Sequence, residues 1–125
     1  MYIKLPYLKK TFDEATQKAA VERCELTVEL DTSFKAHLKW EEKFQSAVGY
    51  DLNTYTSMVE KWIKNEKEAI AHFIGLMKLL YCYINSKDLP SFSSFLGLFD
   101  IDIAEELLTK LNVVLTEVRN TASKN

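Results

Sequence analysis

Glu25-Leu26-Thr27-Val28-Glu29-Leu30-Asp31 can be read in two ways, and the choice sets the fold class. Polar and apolar residues alternate along it, which is the period of a half-buried strand. Leu26 and Leu30 also step by four into Phe34 and Leu38, which is the period of a helix face. A strand needs a partner, and no second strand is visible elsewhere in the sequence. The segment is therefore read as helix, kinked at Asp31-Thr32-Ser33.

On the N-terminal side, residues 1–10 read as a basic, partly irregular arm carrying Lys4, Lys9 and Lys10. Thr11-Phe12-Asp13-Glu14 has the S/T-x-x-E form of a capping box. It predicts a helix through Ala15, Ala19, Ala20 and Cys24. On the C-terminal side, the run Phe34, Leu38, Trp40, Phe44, Val48 stops at Gly49, a natural residue just past a helix end. Asp51 or Asn53 caps the next helix.

Apolar residues then recur at three and four from Tyr55 to Ile84. Within residues 69–84 only His72 and Lys78 are strongly polar, so this helix is predicted to be buried on all sides. It is shorter than the roughly 20 residues that span a bilayer. It reads as the centre of a bundle or as part of a homodimer interface. Residues 85–90 form the clearest break. A short helix through Phe92, Phe95 and Leu96 follows, ending near Gly97. Asp102 caps the last helix, whose core face is Ile103, Leu107, Leu111, Val114, Leu115 and Val118. The tail from 120 to 125 is polar and expected to fray.

Composition supports the helical reading. The chain has 125 residues, 47% of them hydrophobic, with only three Gly and two Pro. That length suits one domain over residues 1–125. Sheets joined by tight turns usually use more Gly and Pro. The expected fold is all-α, a compact four- to five-helix bundle around residues 69–84. Gly75 lies inside the most apolar stretch and predicts a close helix–helix crossing there.

Charge excludes some functions. The net charge is −2, from 16 basic and 18 acidic residues, and only Arg23 and Arg119 are arginines. A nucleic-acid binder usually carries a strongly basic face, so nucleic acid is not an expected partner. Residues 1–6 carry no apolar run of signal-peptide length. Cys24 and Cys82 are far apart and in no CxxC spacing, so the expected setting is cytoplasmic with reduced thiols. Neither a Gly-rich phosphate loop nor HExxH nor GxSxG is present, and no catalytic residue is assigned.

His37-Leu38-Lys39-Trp40 with Ser57-Met58-Val59-Glu60-Lys61-Trp62 resembles the bacterial chemoreceptor zinc-binding domain, a four-helix bundle. Ser57 stands where that family has a ligand cysteine, Glu60 replaces its glycine, and Leu76 follows His72 in place of a second histidine. The resemblance therefore carries no zinc to this chain. Ala36-His37-Leu38-Lys39 is similar to the phosphorylatable motif of histidine phosphotransfer domains, with the spacing off by one and Trp40 in place of a small residue.

Two functional readings remain. His37/Glu41 and Glu68/His72 are both i,i+4 pairs, and on facing helices they would supply four ligands to a metal- or ligand-responsive sensor. The preferred reading rests on charge. Residues 88–109 hold Asp88, Asp100, Asp102, Glu105 and Glu106 and no Lys or Arg, so they carry −5 and leave +3 to the rest of a chain of −2. Phe92, Phe95 and Phe99 interleave with these acids. Such a surface suits a basic partner protein, with Phe99, Asp100, Asp102, Glu105 and Glu106 as contact residues. The expected function is non-catalytic protein binding, by a small immunity, inhibitor or adaptor protein of bacterial or phage type. In a competing arrangement the basic arm folds back onto the acidic patch.

Overall fold

A computed structural model describes residues 1–86 and 89–123, with side chains given through Asn120. Lys87 and Asp88 of the predicted break, and the end of the predicted tail, lie outside the described residues.

The chain is not an all-α bundle. Strand β1 (Tyr2–Asp13) and strand β2 (Lys18–Leu30) form a long antiparallel hairpin. The partner missing for residues 25–31 is thus the N-terminal arm. Ile3 faces Val28 and Leu5 faces Leu26, so the alternation of one strand meets that of the other on a common face. Ile3, Leu5, Val28 and Leu30 all enter the core. Burying that shared face overrides the helical preference of Ala15, Ala19 and Ala20. The supposed capping box lies at the strand end instead. Asp13 accepts a hydrogen bond from the Ala15 amide at 2.9 Å, and Gln17 takes a positive φ of 57° to close the turn.

Beyond Asp31 the helical reading holds. Helix α1 (Phe34–Trp40) starts at Ser33, whose hydroxyl accepts from the Lys35 amide at 3.2 Å. It runs through a π-helical turn (Glu41–Gln45) into α2 (Ser46–Val48). Gly49 ends the run at φ 89°, a conformation that favours glycine. Helix α3 (Leu52–Ile63) is capped by Asp51, which accepts from the Thr54 amide at 2.7 Å.

The predicted continuous helix 69–84 is divided. Helix α4 (Glu66–Ala71) ends at His72, and α5 (Phe73–Cys82) resumes at once. Ile84–Asn85 then form β3, which pairs with Leu30 and Glu29 and makes the sheet three-stranded in the order β1-β2-β3. Extended chain at Ile84 lets its buried side chain join the sheet and its backbone complete the ladder. A short helix, α6 (Phe92–Leu96), and a 3₁₀ turn (Ile101–Ile103) lead into α7 (Ala104–Ser123). Ile103, Leu107, Leu111, Val114 and Leu115 are buried, as their spacing predicts.

Helix α5 contacts α1, α3, α4, α6, α7 and β3. Leu76, Met77, Leu79, Leu80, Tyr81 and Cys82 are all buried in it. A methyl group at Gly75 would meet the Tyr55 hydroxyl of α3, so the absent side chain makes room for that ring. Trp40 is fully buried, with its ring 4.6 Å from Tyr55 and 5.5 Å from Phe44. Its indole N–H donates to the Tyr50 carbonyl at 2.8 Å. Lys39 donates to the Ile84 carbonyl at 2.7 Å, tying α1 to the strand that follows α5. Burial holds the Lys39 ammonium below its ordinary pKa. Among the described residues no helix is long and apolar enough to cross a membrane.

Candidate functional site

Asp100 accepts from the Asp102 amide at 3.1 Å and so caps the 3₁₀ turn. Glu105 and Glu106 follow in the first turn of α7, where acids offset the helix dipole. The hairpin then reaches over this start. Lys10 forms an ion pair with Asp100. Arg23 grips Glu106 with two bonds, one of them Nη1 to Oε1 at 2.7 Å. Leu8 pairs with Arg23 and Lys10 pairs with Val21, so both cations sit on the same hairpin face. The Lys10 hydrogen bond holds the Asp100 carboxyl below its ordinary pKa, with help from the Asp102 amide. Arg23 does the same for Glu106.

Two of the five contact residues named from sequence therefore already face cations of their own chain. Phe99 is half-buried, its ring 5.0 Å from Phe95 and edge-on to it. Asp102 and Glu105 are exposed. Beside them Ile101 is 63% exposed, an aliphatic neighbour where the sequence suggested an aromatic one.

Glu105 has a neighbour that the sequence did not reveal. Glu66 opens α4, and its carboxyl lies beside that of Glu105. A proton shared between the two carboxyls, and then the charge of Glu105, hold the Glu66 carboxyl above its ordinary pKa. Two carboxylates brought together on an exposed surface favour a cation between them. Asn65 caps α4 by accepting from the Lys67 amide at 3.1 Å, which fixes where Glu66 stands. Only an acid at a predicted helix start could have flagged this position, and the sequence separation from Glu105 hides the pairing.

The histidines do not build the four-ligand arrangement. His72 is exposed and stacks flat on Trp62 at 4.0 Å, so it is not a core histidine. His37 lies on α1, 5.6 Å from the Phe34 ring. Among the described residues no group of three or more His, Cys, Asp or Glu side chains is placed to hold a metal ion. His37 does line an open cavity of about 830 Å³ between the end of β2 and α1, with Glu29, Asp31, Asn53 and Asn85 among its walls.

Cys24 and Cys82 are both free thiols. Burial pushes the Cys82 thiol up to about 12, which leaves it protonated and poorly nucleophilic near neutral pH. No protein family, characterised protein or solved structure matches this chain.

Proposed function

We propose that this protein is a non-catalytic binding protein whose acidic ridge, Glu66, Asp102 and Glu105, docks a basic segment of another protein. The observation that carries the reading is the Glu66–Glu105 pair, two exposed carboxyls side by side that form no ion pair among the described residues. A partner lysine or arginine set between them would relieve the repulsion. Exposed Ile101 supplies an apolar contact beside that charge. Asp100 and Glu106, bonded to Lys10 and Arg23, hold the hairpin against α7 and so shape the edge of the ridge. The role fits an adaptor or inhibitor, and the free thiols fit a cytoplasmic setting.

The test compares capture by the wild-type chain with capture by Glu66→Lys/Glu105→Lys. A basic protein held at low salt should be lost from the double variant and released from the wild type as salt rises. Equal retention by both chains would defeat the proposal. The cavity beside His37 favours a second reading, a sensor of a small polar ligand, because its volume falls in the range that encloses one. Thermal-shift screening of wild type against His37→Ala tests it: a stabilising compound should lose its effect in the variant.

A further inference from the structure

Phe34 is 86% exposed, the highest value among the described large apolar side chains, and Leu38 one turn later is 55% exposed. Neither exposure is an accident of fraying. Both residues lie on α1, which is anchored by buried Ala36 and Trp40 on its other face. At about 100° per residue, Leu38 stands at the middle of the solvent face. Phe34 and Glu41 flank it on one side, Lys35 and Glu42 on the other, and all four are exposed. On the first side lies a hollow of about 410 Å³ walled by Phe34, Lys35, His37, Leu38 and Glu41.

The charges on the second side say what covers this face. Lys35 lies toward the helix start and Glu42 about two turns later on the same flank. A second copy laid antiparallel across a twofold axis near Leu38 puts each Lys35 opposite the other copy's Glu42. A parallel twofold exchanges the flanks, so each Lys35 would face the other copy's Phe34 and Glu41 flank and each Glu42 would face no cation. In a twofold contact one patch must complement itself, and Lys35 meets Glu42 only in the antiparallel sense. The same operation sets each Phe34 beside the other copy's Glu41, at one end of the hollow.

We propose that the exposed face of α1 is a homodimer interface, with Phe34 and Leu38 at its centre and reciprocal Lys35–Glu42 pairs on its flank. Sedimentation velocity on the full chain tests this. The expected mass is about 29 kDa, twice the 14.5 kDa of one chain, at concentrations of ~100 µM. Leu38→Glu and Lys35→Glu should each weaken dimerisation by about tenfold or more. Lys35→Glu combined with Glu42→Lys should restore it, because reversed charges still complement each other antiparallel. All three side chains are exposed, so an unchanged circular-dichroism spectrum and melting midpoint will show that the fold survives. A monomer at that concentration overturns the proposal, as does a dimer that Leu38→Glu and Lys35→Glu leave intact. Failure of the double swap to restore pairing overturns the antiparallel arrangement.

Discussion

The two halves of the β1–β2 hairpin share one register but are held by different forces. At the base, Ile3, Leu5, Val28 and Leu30 are 6%, 0%, 3% and 8% exposed. From Lys9 to Arg23 every residue is exposed. Full burial of one such aliphatic side chain contributes about 1.5–3 kcal/mol. Exposed ion pairs add little by comparison. The base is therefore held by the core, whereas the outer half depends on its ladder and on the pins to Asp100 and Glu106. Strand pairing alone does not make a stable element; burial of one face does.

The largest effect should come from the base. Leu5→Ala should cost about 2–5 kcal/mol in chemical denaturation, because it empties a fully buried site. Val21→Ala in the outer half, where Val21 is 62% exposed, should stay within about 0.5 kcal/mol. Equal losses would erase the distinction between the halves.

The helical core offers a second site set by burial. Gly75→Ala should destabilise by about 1 kcal/mol, although alanine is the better helix former, because the new methyl group meets the Tyr55 hydroxyl. Adding Tyr55→Phe should recover much of that loss, which a denaturation cycle of the four proteins would show.

Smaller effects belong to the pins. Asp100→Asn with Glu106→Gln should leave the melting midpoint nearly unchanged and speed amide exchange in the outer hairpin several-fold. Acid should act in the same way. Asp100 and Glu106 have folded-state pKa values below their ordinary 3.8 and 4.5, so their contribution is complete above that range. It is lost as pH falls through the lowered values. Glu66 has the opposite sign: its pKa is held above its ordinary 4.5, so protonation on acidification relieves its repulsion with Glu105 and strengthens their contact. Acid titration followed by NMR should thus loosen the outer hairpin while the Glu66–Glu105 contact tightens.

Most helical elements after Asp31 were legible in the sequence because their signals are local. Gly49, Asp51, Gly97 and the apolar spacing of α7 each act within a turn or two. The hairpin was not legible as a pair. Residues 25–31 carry the alternation plainly, but Pro6 and Lys9-Lys10 blur it in the partner, and the turn at residues 14–17 lacks Gly, Pro and Asn. The step of four from Leu26 to Leu38 was coincidental: Leu30 enters the core while Phe34 and Leu38 face solvent. The acidic cluster at the start of α7 was visible as composition, and the basic arm folding onto it was foreseeable from charge. Glu66 was not, since its approach to Glu105 depends on how α4 packs near α7.

The central claim is that residues 2–30 form one hairpin with a core-held base and a pinned outer half. Native-state amide hydrogen exchange resolved by residue tests it most directly. Ladder amides of the base, residues 3–6 and 25–30, should exchange only at the rate of global unfolding, and those of residues 9–13 and 18–23 should exchange by faster local opening. Uniform protection along both strands would contradict the account, as would helical i-to-i+4 contacts through residues 11–24.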